Sequence, residues 1–293
     1  MNTIWNDIKN NYNSGTNFTK ILYINIGFFL IYKILFVFSF LFETEGITYF
    51  TENYLSLPSN KSLVFKKPWT LISYMFVHLD FFHILFNMIW LHFGSKLFLQ
   101  YFNGKQLVST YILGGISGGM LYIIAFNLFP AFQDQVDTSV VIGASASVLA
   151  IFIAIATYQP NYTVSFPFIG RVELKQIAIV LIVLDLLSIS PDNPGGHISH
   201  LGGALFGYLY ISLLKRGTDI SVNFYKFIGS FSLKNKSKLR KVHKRNKKKN
   251  DDDFRNNKSE KQKKINSILE KISKSGYDSL SKSEKEILFK ESK

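Results

Sequence analysis

The sequence predicts an all-α polytopic membrane protein: a bundle of six transmembrane helices followed by a basic cytosolic tail. Three observations carry that expectation. Six apolar blocks fall between residues 21 and 214, most of them close to the roughly 20 residues that a helix needs to cross a bilayer core. Charge is divided rather than dispersed: ten basic and ten acidic residues precede Lys215, so the whole net charge of +14 belongs to residues 215–293. The mean hydropathy of +0.12 is thus the average of an apolar body and a polar appendage. Cysteine is absent, which excludes disulfides, thiolate nucleophiles and Cys-based metal sites.

Residues 1–20 are polar and Asn-rich, and are expected to be cytosolic. The first apolar block, 21–42, is interrupted only by Lys33, whose stem can lie along the helix. It is long and no A-x-A site follows, so it reads as a retained span rather than a signal peptide. Residues 43–74 form a long mixed loop with Pro58 and Pro68, with room for short interfacial helices. Further blocks follow at 81–101, 107–129, 145–158, 174–189 and 198–214. The 145–158 block is short for a full crossing. Its N-terminus is expected to stop inside the membrane region, in a protein-lined cavity where irregular backbone is tolerated. The expected organisation is a cytosolic segment 1–20, a membrane domain 21–214, a basic linker 215–257 and a small helical cytosolic segment 258–293.

Positive charge sets the topology. With six spans both termini share a side, and the Lys-rich tail makes it the cytosol; a bacterial inner membrane is the expected location. Loops near Lys96–Lys105 and Arg171–Lys175 then also face the cytosol, while those around Asp134–Asp137 and Asp192 lie outside without basic residues. Lys61, Lys66 and Lys67 in the first external loop are a mild violation, balanced by Glu43, Glu45 and Glu52.

Polar groups inside spans are costly in lipid and are therefore candidates for function. Ser145 follows Gly143-Ala144 at the start of the fourth block, in a first turn whose backbone N–H groups lack intrahelical partners and suit an oxyanion. His200 opens the sixth block, also near its external end. His83 and Asn87, four residues apart in HILFN, share one face of the second. Their N–H groups can complete an oxyanion hole begun at Ser145; the competing reading is that they only tie helices together. A direct Ser145–His200 hydrogen bond demands closely approaching helices. Ala146, Ala150 and Ala154 on the fourth span, with Gly203 and Gly207 on the sixth, supply small-xxx-small faces for it. Gly114, Gly115, Gly118 and Gly119 do the same in the third span and need no chemical role.

HxxxN in the second span, Gly-x-Ser opening the fourth and His-x-x-Gly-x-x-x-Gly in the sixth together resemble the rhomboid intramembrane serine protease family, over about residues 69–214. PWTLISYMFVH before the second span resembles that family's first loop. The resemblance implies a six-helix bundle that hydrolyses membrane-anchored substrates through a Ser–His dyad and no cofactor. Carried onto this chain, Ser145 is the nucleophile and His200 the general base, later the general acid for the leaving amine. His83 and Asn87 match the oxyanion-hole pair, and Gly143, Gly203 and Gly207 the supporting positions. Three residues depart from the pattern. Ala146 stands where a glycine usually follows the serine, Leu149 where many members have a tyrosine stacked on the histidine, and Thr70 where an arginine commonly follows the tryptophan.

Ser147 and His197 are rivals. Two residues turn a helix by about 200°, so only one of the two serines can face His200, and the Gly143 register favours Ser145. His197 is expected in a Pro-Gly-Gly loop ahead of the helix, where Gly195-Gly196 would give mobility. No acid is expected beside His200: Asp185 is assigned to the middle or cytosolic half of the fifth span and Asp192 to the next loop. A histidine metal site built from His78, His83, His197 and His200 is set aside for want of a well-placed carboxylate. A transporter would need partnered ionisable residues along a path, whereas Lys33 and Asp185 have no evident partners. An inactive relative that binds or escorts membrane clients is the main alternative; retention of both Ser145 and His200 argues against it.

In the tail, 215–250 is a basic low-complexity stretch that suits anionic lipid better than nucleic acid, because it adjoins a span. Ile265, Ile268, Leu269 and Ile272 follow amphipathic helical spacing. Ser281-x-x-Glu284 reads as a capping box before Ile287, Leu288 and Phe289, giving two short helices around Gly276.

Overall fold

The computed structural model describes residues 2–166, 170–190, 193–231 and 251–291. It is mostly helical and divides into two compact units, residues 1–233 and 234–293. The expected linker positions 232–250 lie outside the described residues, as does Asp192.

In the first unit, α1 (Asn2–Ser14) leads to α2 (Asn17–Leu41), which carries the first apolar block. Most of α2 is exposed apolar surface, as suits a helix meant for lipid. One polar clasp ties it inward: buried Asn25 donates to Tyr111 Oη at 3.1 Å, and Tyr111 donates to the Met75 carbonyl at 3.2 Å. The long loop holds three short α-helices, α3 (Gly46–Phe50), α4 (Lys61–Lys66) and α5 (Thr70–Ser73), a π-helical turn at Thr51–Leu55, and β1 (Leu57–Pro58). Trp69 Nε1 donates to the Tyr54 carbonyl at 2.9 Å and Ser73 Oγ to that of Leu55 at 2.7 Å. Thr70, where the family's arginine is missing, caps locally on the Lys67 carbonyl at 2.7 Å. The loop is thus anchored through its backbone carbonyls.

Next come α6 (Phe81–Phe98), α7 (Gly104–Leu128), α8 (Ser145–Tyr158), α9 (Leu174–Leu187) and α10 (Pro194–Lys215). By length and composition, α2 and α7 are each able to cross a membrane, and α6 joins them if counted with residues 70–76, from which it bends by 96°. With 14 residues, α8 and α9 each reach only about 21 Å. A strand β2 (Val140–Val141) pairs antiparallel with β1, matching Leu57 to Val141 and Pro58 to Val140, and so fixes the approach to α8. A hairpin of β3 (Thr163–Phe166) and β4 (Gly170–Glu173) joins α8 to α9.

The centre of the unit is the packing of α7, α8 and α10, where small residues let backbones touch. A Cβ on Gly203 would overlap the Ala146 carbonyl oxygen, and one on Gly207 that of Ala150. On the other flank, Gly114 and Gly118 of α7 abut Ala150 and Ala146. With no hydrophobic drive between helices in lipid, such close van der Waals contact is what holds them. Glycine at 203 and 207 is therefore a steric requirement, and α8 ends up sandwiched and almost wholly buried.

Two expectations change. The sixth helix begins at Pro194, not 198, because Pro at the first helical position and the Asn193 side chain, accepting from Gly196 N–H at 3.1 Å, start it four residues early. Gly195-Gly196 and His197 are therefore helical rather than loop. Within the expected linker, Ile220–Phe231 forms α11; Asp219 accepts from Ser221 N–H at 2.8 Å and from Gln106 of α7 at 3.1 Å, docking it on the bundle.

The second unit contains α12 (Asp251–Ser275), which starts inside the stretch expected as linker, and α13 (Lys282–Glu291). Gly276 turns between them with φ +74°, a left-handed value that favours glycine. Glu284 accepts from Ser281 N–H at 2.7 Å while Ser281 Oγ accepts from Glu284 N–H at 3.4 Å, the reciprocal cap read from the sequence.

Candidate active site

The site begins with a strained turn. Gly143 takes φ +109°, which only glycine adopts readily, and a Cβ there would also press on His83 Nε2 at 2.7 Å. Its N–H donates to the Tyr74 carbonyl at 2.9 Å. The next N–H, of Ala144, donates to Nε2 of buried His78 at 3.3 Å. These bonds seat Ser145 as the first residue of α8. The N-cap is Ala144, which has no side-chain oxygen to satisfy the first-turn donors. They are left aimed at whatever lies before the helix.

Ser145 Oγ lies 2.6 Å from Nε2 of His200, which sits in the second turn of α10. The Gly203–Ala146 contact brings the two helices this close. On its other side, His200 Nδ1 lies 2.8 Å from Oδ1 of Asp185, and the same oxygen is 2.8 Å from Nδ1 of His197. A carboxylate can only accept, so both imidazoles carry their proton on Nδ1. His200 Nε2 is then the bare nitrogen, free to accept the Ser145 hydroxyl proton. Asp185, 12% exposed, thus fixes the tautomer that a general base needs.

That carboxylate corrects the reading that placed Asp185 in the middle or cytosolic half of its helix. Helix α9 starts at Leu174 and is only 14 residues long, so residue 185 falls in its last turn, beside the start of α10. The signal was present: an acid in an apolar span is expensive and implies a partner. His197, expected in a loop, lies one helical turn before His200 because α10 starts at Pro194, and that register brings both rings to one oxygen. Leu149 lines the cavity, and it is Asp185 rather than an aliphatic contact that bonds the His200 ring.

A cavity of about 650 Å³ is lined by Ser145, His200, Asp185, His83 and Asn87, with Phe82, Phe86 and Trp90 of α6 on its apolar side. Asn87 Nδ2 donates one hydrogen to the His83 carbonyl at 2.9 Å, leaving its other N–H for the cavity. Ser147 is fully buried and turned the other way, its Oγ against Gly115 of α7. Of the two serines, Ser145 alone meets the histidine.

Comparison with known proteins matches a family model, the rhomboid domain, to residues 66–217 and a second, a family of unknown function (DUF6576), to residues 248–293. RHOMBOID-like protein 12, mitochondrial, of Arabidopsis thaliana is 29% identical over 157 residues, covering 50% of this chain and 47% of the relative. Presenilin-associated rhomboid-like protein A, mitochondrial, of Danio rerio is 26% identical over 168 residues, covering 56% of this chain and 40% of the relative. The chain spans less than half the length of these curated relatives. The rhomboid match takes in all five helices from α6 to α10, every residue of the Ser145 cavity and more than half of the sequence, and on that ground the chain belongs to the rhomboid family.

Proposed function

We propose that this chain is an intramembrane serine endopeptidase that cleaves peptide bonds in or next to transmembrane segments of membrane-anchored proteins. The observation that carries the reading is the line Asp185–His200–Ser145 at 2.8 and 2.6 Å, opening on a cavity with further N–H donors. Ser145 Oγ attacks the scissile carbonyl carbon while its proton passes to His200 Nε2; the Nδ1–H bond to Asp185 steadies the resulting imidazolium. Negative charge on the carbonyl oxygen is met by the Ser145 backbone N–H, His83 and Asn87. Collapse breaks the C–N bond, and His200 returns its proton to the departing amine. A water then repeats the attack on the ester at Ser145, giving its proton to His200, and the released Oγ takes that proton back.

The accompanying topology is six spans, α2 and α6 to α10, with both termini cytosolic and the basic stretch after Lys215 facing anionic lipid. In that arrangement α8 starts below the membrane surface, and Ser145, His200 and Asp185 all lie toward the external side. The names of the two relatives place those proteins in mitochondria, so they lend no support to a bacterial inner membrane.

The test needs no knowledge of the substrate. A serine-reactive fluorophosphonate probe should label the purified chain, and Ser145→Ala should abolish the labelling while the protein stays folded. Labelling that survives in Ser145→Ala overturns the assignment, and a folded wild type that takes no label favours a client-binding role.

A further inference from the structure

His197 is a second imidazole on a carboxylate that already serves His200, and the reaction proposed for this cavity has no use for it. His197, His200 and Asp185 offer one ligand atom each, all within 4.8 Å of one another. Zn²⁺ bonds to imidazole nitrogen and carboxylate oxygen at about 2.0–2.2 Å, so its ligand atoms stand roughly 3.3 Å apart. The two Nδ1–Oδ1 separations of 2.8 Å need to open by about 0.5 Å, and the Nδ1–Nδ1 pair, within 4.8 Å, has to close as the two rings turn onto the ion. The histidines come from one helix, one turn apart, and the acid from its neighbour; that is a rigid scaffold rather than a chance meeting of loops. The side chains of His197 and His200 are each about a quarter exposed, and Asp185, His200, Asn193 and Gly196 line the cavity, which gives an ion its entry path and a fourth position for water.

We propose that Asp185, His197 and His200 form a site for a divalent transition-metal ion, of which Zn²⁺ is the chemical type, and that occupancy switches Ser145 off. Two nitrogens and one carboxylate suit Zn²⁺ or Co²⁺ and disfavour Mg²⁺ and Ca²⁺, which take oxygen ligands. The inhibition follows from proton bookkeeping. Coordination uses the Nδ1 lone pair, so on each ring the Nδ1–H bond breaks and an Nε2–H bond forms through solvent exchange, with no net proton gained or lost. His200 Nε2 then donates and cannot accept the Ser145 proton. The ion therefore disables the base without touching the nucleophile. The binding half of the inference stands on the three ligands alone; the inhibitory half rests on the protease reading.

The two halves are tested separately on the full-length chain. Co²⁺ titrated into the wild type should give d–d absorption of a four- or five-coordinate site, displaced by Zn²⁺ and not by Mg²⁺. Ser145→Ala, which lacks the proposed nucleophile, should give the same spectrum. His197→Gln and His197→Ala should weaken Co²⁺ binding about tenfold or more. In fluorophosphonate labelling, Zn²⁺ should suppress modification of Ser145 reversibly on chelation. In the His197 variants the half-inhibiting concentration should rise by a similar factor, each variant being referred to its own metal-free rate. Metal binding or inhibition unchanged in a folded His197 variant places the ion elsewhere and overturns the proposal, as does a folded wild type that binds no Co²⁺. A chain that binds Co²⁺ through His197 yet never labels at Ser145 keeps the site and removes the protease reading instead.

Discussion

Oδ1 of Asp185, in the last turn of α9, stands 2.8 Å from Nδ1 of His200 in α10, so a carboxylate of one helix holds the imidazole of the next on the side away from Ser145. Removing that acceptor leaves His200 free to adopt the other tautomer. Asp185→Ala is therefore expected to slow Ser145 labelling and substrate cleavage by at least about tenfold, with about 10⁴-fold as the outer bound for a lost orienting acid. The loss should fall on kcat rather than KM, since in the proposed reaction Asp185 steadies a charge that exists only during turnover. Asp185→Asn, whose amide N–H can face Nδ1 and hold the wrong tautomer, should lose activity at least as heavily as Asp185→Ala. Equal activity in wild type and Asp185→Ala would return the site to an unaided Ser–His pair.

Gly203 and Ala146 make the second contact on which the site depends. Because a Cβ at 203 would enter the Ala146 carbonyl oxygen, Gly203→Ala must push α10 away from α8. Overpacking of this kind costs about 1–3 kcal/mol. The same shift separates His200 from Ser145, so labelling should fall together with the midpoint of thermal unfolding in detergent. Gly27 of α2, where nothing lies within 4 Å, is the control: Gly27→Ala should leave both measurements where they are.

The two serines of α8 give a sharper contrast. Ser147 Oγ is fully buried against α7 and has no hydrogen-bond partner among the described residues. Ser147→Ala removes only that unpaired hydroxyl, so stability should hold or rise slightly, and labelling should persist. Labelling lost in Ser147→Ala but kept in Ser145→Ala would reverse the assignment.

What could be read from the residues was whatever local spacing fixes. The 145–158 helix and the shared face of His83 and Asn87 follow from helical periodicity, and the Gly203–Ala146 approach from the small-residue pattern. What could not be read depended on where helices start and stop. Pro194 and Asn193 begin α10 early, and α9 stops at Leu187; together these move His197 and Asp185 from separate backgrounds onto one oxygen. Apolar block lengths do not carry that information, because a cap or a terminal residue shifts register without altering composition. The docking of α11 is hidden for another reason: Asp219 is one charge in a charged stretch, and its bond to Gln106, 113 residues away in sequence, leaves no mark on local spacing.

The cap of α13 makes a prediction about pH. The Ser281 backbone N–H on the Glu284 carboxylate, aided by the Lys271 ammonium at 3.0 Å and the Ser281 hydroxyl, draws its pKa down from an ordinary 4.5 to about 2. A depressed carboxylate pKa means that ionised Glu284 favours the folded helix, a contribution fully present above about pH 4.5 and lost as pH falls toward 2. In hydrogen–deuterium exchange on the full-length chain, corrected for intrinsic rates, the peptide spanning 277–291 should be better protected in wild type than in Glu284→Gln at neutral pH. That difference should shrink through the acid range and vanish near pH 2. A protection difference that persists undiminished at the lowest pH would show that the carboxylate's charge is not what holds this helix start.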